Sequence, residues 1–351
     1  MRINGIDIGF GFTKATDGKE SVIFKSIMGE AIDFQIPVNL ITNDIATKLH
    51  VTLDGQSYFV GDFAEQQSNV RQFTLDQEKF ISDFVRLFAL TALGRLNTEY
   101  VPINVVSGLP VGFYRDYHRR LMKTLAGSHE ITFQVGETSS EVRRININKI
   151  RIIPQPLGSL LNLIMNDKGV VVNRELARQK VGIVDIGFRT TDFCIFDQLR
   201  YVGRGSTTTD MGMSKCFSLI AKKLQEECGG VNIELYRMYK AIQKGLIKIR
   251  GKEYSISKFR DLAFTNAART IASDMDRLWA DEWDMDAIMI TGGGAMELTK
   301  YLQPLITGNI IPIEANADFR LNNVEGYLKY GRFLWTTPEP DPKKTASKTG
   351  Q

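Results

Sequence analysis

Ile6-Asp7-Ile8-Gly9-Phe10-Gly11-Phe12-Thr13-Lys14 and Val184-Asp185-Ile186-Gly187-Phe188-Arg189-Thr190-Thr191-Asp192 are two versions of one phrase. Each ends an apolar run on an Asp, sets a Gly two residues later, and follows with a hydroxyl-bearing turn. A glycine-rich turn after a strand lets backbone amides approach phosphate oxygens, because no Cβ stands between them. Thr13, Thr190 and Thr191 add hydroxyl donors, and Lys14 adds a point charge. Asp7 and Asp185 would repel phosphate, so their chemistry suits a divalent cation or its bound waters. Taken alone, each turn equally suits a hairpin whose Asp and Thr cap it. The repeat points to two similar lobes closing on one phosphorylated ligand.

The segments outward of these turns alternate between strand and helix patterns, which implies an α/β architecture. Strands are expected at 2–8, Ser21–Phe24, Phe34–Val38, Ile103–Val106, Ile131–Val135, Ile145–Ile153, Val181–Asp185, Asp192–Phe196, Ala287–Ile290 and Ile310–Ile313. Asp54-Gly55 reads as a hairpin turn between Val51–Leu53 and Tyr58–Gly61. Helices are expected at 77–96, 113–126, 159–166, 213–227, 232–244, 257–282, 295–303 and 322–335, where apolar residues recur at three and four. Pro154-Gln155-Pro156-Leu157-Gly158 reads as a sharp break before the third of these. From Thr336 onward the chain is rich in Pro, Lys and Ser with no apolar face, and a disordered tail is expected over 336–351.

Thr291-Gly292-Gly293-Gly294-Ala295 follows a buried strand and precedes a helix. Three glycines offer a flat surface for a purine or ribose, or simply a tight turn. A dinucleotide fingerprint and a P-loop are both absent. The chain has 351 residues, 43% hydrophobic and 24% charged, enough for a sizeable core in two domains. Its 44 basic and 40 acidic residues give a net charge of +4, too small to indicate a nucleic-acid or membrane surface. Three cysteines without pairing spacing and three scattered histidines suggest neither a disulfide framework nor a zinc site. No apolar run approaches the ~18 residues of a membrane span. The chain opens directly on a strand-like run, so no secretory leader and a cytoplasmic location are expected.

The order of motifs (phosphate turn, Pro-Gln-Pro-x-Gly, phosphate turn, triple glycine) resembles that of the actin superfamily of ATPases from residue 2 to about 335. Within it the chain is most similar to the plasmid-segregation actins of the ParM/StbA type. The resemblance rests on the segment Gly5–Lys14, on Tyr58-Phe59-Val60-Gly61-Asp62-Phe63-Ala64, on Ser107-Gly108-Leu109-Pro110 and on Asp185–Asp192. It implies an actin-like, ribonuclease H-like fold of two α/β lobes with a nucleotide cleft between them. Residues 1–158, with the helix 322–335 packing back, would form the first lobe, and 159–321 the second.

By the same resemblance, Asp7, Gly9, Gly11, Phe12, Thr13 and Lys14 form a first phosphate loop. Gly187, Arg189, Thr190, Thr191 and Asp192 form a second, beside Asp185. Gly292, Gly293, Gly294 and Ala295 form the adenosine motif. Gln155 matches the residue that orients the attacking water, and Asp185 activates that water through the metal. Asp7 and Asp185 would hold Mg²⁺ through water. Lys215 either contributes to the purine pocket, near Phe217, or is a solvated helix charge. Arg189 faces either phosphate or solvent.

The implied cofactors are ATP or ADP with Mg²⁺. The implied partners are the chain itself, in filaments, and a DNA-binding adaptor protein, with no direct membrane contact and no indication of direct nucleic-acid binding. A metabolite kinase of the same superfamily and a non-polymerising actin-like adaptor are the alternatives. Short intervals between motifs leave little room for the substrate-binding inserts of a kinase.

Overall fold

A computed structural model describes residues 2–31, 48–135, 139–312 and 319–336. The strand expected at Phe34–Val38 and nearly all of the expected tail lie outside these residues. Among the described residues, ten strands make one sheet and four make a second. In the first, Arg2–Ile8 runs antiparallel to Phe12–Thr16, which runs antiparallel to Ser21–Lys25. On its other side Arg2–Ile8 lies parallel to Ile103–Leu109, itself parallel to Ser140–Pro154. In the second, Lys180–Ile186 runs antiparallel to Thr191–Asp197, which runs antiparallel to Arg200–Thr209. The free side of Lys180–Ile186 lies parallel to Ala287–Thr291. The repeated phrase is thus a repeated topology: a meander of three strands with a parallel neighbour at its first strand.

Period-two alternation divides the side chains between layers. Val184 and Ile186 face a core built on the helices Met213–Glu227 and Ser257–Leu278. Val181 and Ile183 face the other way, toward Leu160, Leu161, Ile164 and Tyr327, in a core lying between the two sheets. Phe80, Phe84 and Phe88 cover the outer face of the first sheet.

The Asn322–Thr336 helix crosses the Gln155–Ile164 helix at very short range. A Cβ on Gly326 would stand 1.7 Å from the Gly158 carbonyl oxygen, so only glycine permits this approach. The Asp54-Gly55 hairpin forms with both turn residues at positive φ, 51° and 78°, as a type I′ turn requires.

Several elements differ from their sequence patterns. Phe12–Thr16 is a strand, because its residues pair on both edges. The helix expected at 159 begins at Gln155; Pro156 sits in the first turn, where a missing N–H costs nothing. The helix expected over 232–244 is confined to Met238–Lys244, ending at Gly245 with φ 70°. The Ser257 helix stops at Leu278, and Trp279 turns its indole N–H to the Gly205 carbonyl at 2.9 Å. Ile310 forms one bridge to Ile288 rather than a strand. Thr336 closes the last helix, its hydroxyl donating to the Arg332 carbonyl at 2.5 Å. Cys194, Cys216 and Cys228 are free and buried.

Candidate nucleotide cleft

The two turns are built alike. The Gly9 amide donates to the Phe12 carbonyl at 3.1 Å, and the Gly187 amide donates to the Thr190 carbonyl at 2.9 Å. Each first glycine therefore closes its own turn. The tips, Phe10-Gly11 and Phe188-Arg189, are left facing a cleft of about 270 Å³ between the sheets. Asp7, Gly9, Phe12, Lys14, Gln155, Asp185, Gly187, Thr190 and the three glycines 292–294 also line it. Gly292 holds φ 90°, and a Cβ there would fall 2.2 Å from Asp185 Oδ1. Any side chain at 292 would displace that carboxylate.

Asp7 is 2% exposed and satisfied on both oxygens. Lys14 Nζ donates to Oδ2 at 2.7 Å, and Gln155 Nε2 donates to Oδ1 at 3.0 Å. Asp185 is 3% exposed and accepts from Asn323 Nδ2 at 3.0 Å through Oδ2. Burial pushes the Asp185 carboxyl up to about 6, and the negative charge of Asp7 adds to the rise. The Asn323 bond and the Lys14 charge oppose it. Two buried carboxylates with one lysine between them leave uncompensated negative charge, which suits a divalent cation held through water. Among the described residues, no three His, Cys, Asp or Glu side chains gather into a direct metal cage.

Five residues named from the sequence do not line the cleft, and each has a physical reason. Thr13 is buried behind its turn, its hydroxyl 3.0 Å from Ser26 Oγ, which in turn donates to the Gly9 carbonyl at 2.6 Å. Thr191 donates to the Met211 carbonyl at 2.5 Å. Asp192 turns toward the first sheet's lobe, and its Oδ1 accepts from the Val111 amide there at 2.9 Å and from the hydroxyl of Thr208, its own cross-strand neighbour. Together with Thr208 it satisfies the opening amides of the Val111–Leu125 helix. Lys215 is exposed, while Met213 and Phe217 of the same helix line the cleft. Ala295 is buried, its amide spent on the Gly292 carbonyl at 3.0 Å. Arg189 lines the cleft, and its guanidinium stands 5.3 Å from the Phe10 ring centre and 5.2 Å from that of Phe113, bridging the lobes.

Other cleft residues carried no motif. Asn323, Tyr239, Met213 and Phe217 all line it. Phe217 and Tyr239 meet edge to face at 5.0 Å, and both line the cleft. Asn323 had one usable signal, a polar residue on the otherwise apolar inward face of its helix.

Two lobes with duplicated strand–turn–strand units, clasping a cleft lined by paired carboxylates and a lysine, define the actin type of fold. Residues 5–158 match the family of actin-like protein N-terminal domains, and residues 183–304 match the C-terminal domain of MreB-like archaeal actin homologues. The chain belongs to the actin superfamily. A ParM from a 15-stranded filament of Clostridium botulinum superposes with a TM-score of 0.80 at 24% identity, covering 95% of this chain and 99% of that one. An archaeal actin homologue in complex with ADP gives 0.74 at 20% identity, over 93% and 98% of the two chains. ParM of Bacillus thuringiensis with ATP gives 0.70 at 20% identity, over 96% and 100%. No curated protein matches the chain in sequence.

Proposed function

We propose that this chain binds ATP with Mg²⁺ between its lobes, hydrolyses it, and assembles with itself into filaments whose lifetime the hydrolysis sets. The observation that carries the reading is the opposition of Asp7, Lys14 and Gln155 on one side of the cleft to Asp185 on the other. Nucleotide-bound relatives of the same fold and a ParM filament support it.

Lys14, already 2.7 Å from Asp7, supplies positive charge toward the phosphates. Gln155 commits its Nε2 to Asp7, which leaves Oε1 as an acceptor for a proton of the attacking water. A neutral amide is no base, so its part is orientation. Asp185, at about 6, is mostly ionised at neutral pH yet close to the range in which a carboxylate accepts a proton effectively. Mg²⁺, when bound, would be held through water by Asp7 and Asp185 and would neutralise phosphate charge. Phe217 and Tyr239 would flank the base, with Gly292–Gly294 against the ribose.

On this reading the lobes divide near residue 158, with the last helix returned to the first lobe. The filament would move or position DNA through a separate adaptor protein. No described helix is long and apolar enough to cross a membrane.

The test is nucleotide binding and phosphate release on the purified chain. Wild type is expected to bind ATP and release phosphate in the presence of Mg²⁺. Gln155→Ala is expected to bind ATP within about threefold of wild type while releasing phosphate about a hundredfold more slowly. Unchanged hydrolysis in Gln155→Ala would remove Gln155 from the water site. Phosphate delivered to a small acceptor rather than to water would make the chain a kinase instead.

A further inference from the structure

Two residues one helical turn apart on the C-terminal helix reach the two residues assigned to the hydrolytic water, one at its carboxylate and the other at its backbone. Asn323 Nδ2 donates to Asp185 Oδ2 at 3.0 Å, and the Tyr327 hydroxyl donates to the Gln155 backbone carbonyl at 3.2 Å, at the root of the side chain that meets the water. Their i, i+4 spacing puts both on one face of that helix. Both are buried, Asn323 at 5% and Tyr327 at 0% exposure.

The orientation of Asn323 is fixed by a further set of bonds. Its Oδ1 accepts from the Ser159 amide at 3.1 Å and from the Ser159 hydroxyl at 2.7 Å. A backbone amide can only donate, so the carbonyl end of Asn323 must face Ser159 and the NH₂ end must face Asp185. Ser159 Oγ also lies 2.7 Å from Thr291 Oγ1, immediately before the triple glycine. Tyr327 is equally constrained: a Cβ on Gly108 would fall 2.0 Å from its hydroxyl oxygen, and one on Gly158 would fall 2.5 Å from its ring. Glycines at both positions admit the ring to this place.

We infer that Asn323 and Tyr327 form a brace that sets the placement of Asp185 relative to Gln155, and so position the two groups that handle the water. The inference rests on the ATPase reading above. Asp185 belongs to the second sheet and Gln155 opens the helix that follows the first sheet's Ser140–Pro154 strand, so no single strand fixes their separation. The helix face does. Neither brace residue is a catalytic residue; each acts through its partner.

The test compares wild type, Tyr327→Phe, Asn323→Asp, Gln155→Ala and the Tyr327→Phe/Gln155→Ala double variant. Turnover, ATP affinity and thermal midpoint are measured on each. Tyr327→Phe keeps the ring and removes one hydroxyl, and is expected to lower kcat about tenfold with affinity within about twofold. Asn323→Asp keeps the shape and replaces the donor with a second carboxylate, and is expected to lower kcat about a hundredfold. In the Gln155→Ala background, Tyr327→Phe is expected to cost nothing further, because the side chain it positions is gone.

Wild-type turnover in Tyr327→Phe would overturn the brace. So would equal loss of kcat in both backgrounds, or parallel loss of affinity and thermal midpoint, since either marks a general structural role. Absence of turnover in the wild type would overturn the ATPase reading itself, and the brace with it.

Discussion

Asp192 shows how one position of a repeat changes its task. In the first turn Asp7 pairs across the strands with Lys14; in the second, Asp185 pairs with Asp192. Lys14 stays in the cleft against Asp7, whereas Asp192 swings away to hold the Val111 amide and the Thr208 hydroxyl. Burial pushes its carboxyl up to about 7, and the nearby Asp185 charge adds to this. A carboxyl raised on folding supports the native state fully below its unfolded pKa of about 4. That support is lost as pH rises through about 7. Asp192→Asn keeps an acceptor for Val111 without the buried charge. It is expected to melt about 3 °C or more above wild type at pH 8, with the gap closing toward pH 4, as thermal unfolding across pH will show. The turns themselves were legible because glycine and aspartate at fixed spacing have few other uses. The outward aim of Thr13, Thr191 and Asp192 was not, because it depends on which residues pair across the strands and on a helix that starts far away in sequence.

At the scale of elements, the C-terminal helix holds the two lobes' shared core and the cleft in one piece. It packs against Arg2–Ile8 through Gly5, where a Cβ would meet the Val324 carbonyl oxygen at 2.1 Å, and against Gln155–Ile164 through Gly158 and Gly326. Gly326→Ala gains helix propensity but drives a methyl into the Gly158 carbonyl. The clash outweighs the propensity, and a loss of about 2–3 kcal/mol is expected in denaturant unfolding, with ATP affinity falling as Asn323 shifts. The periodicity of this helix was readable from Val324, Tyr327, Leu328 and Gly331 alone. Its partners were not, since a glycine in a helix signals a close approach without naming what approaches. The start of the Gln155–Ile164 helix was misplaced for a related reason: Pro154 and Pro156 look like breakers until the first turn is known to begin between them.

Across the whole molecule, a separate small core joins the two lobes. Tyr236, 4% exposed, is buried among Ile27, Phe59, Phe63 and Ala64 of the first lobe. Arg71 and Glu234 at 3.6 Å, Lys240 and Asp62 at 3.6 Å, and the Phe12–Tyr239 ring pair at 4.7 Å span the same gap. Opening the lobes must expose Tyr236, whose burial contributes about 2 kcal/mol. Tyr236→Ala is therefore expected to speed release of a fluorescent ADP analogue tenfold or more, while hydrolysis in the closed state is retained; stopped-flow displacement measures it.

The same two-lobed closure is what nucleotide state would change in a filament. High-speed sedimentation with light scattering, in Mg²⁺ with ATP, with a non-hydrolysable analogue, with ADP and without nucleotide, measures that coupling directly. Assembly is expected in ATP and in the analogue, with disassembly following phosphate release in ATP alone and little polymer in ADP. A chain that stays in the supernatant in ATP at every concentration, or pellets equally in all four conditions, would contradict the account.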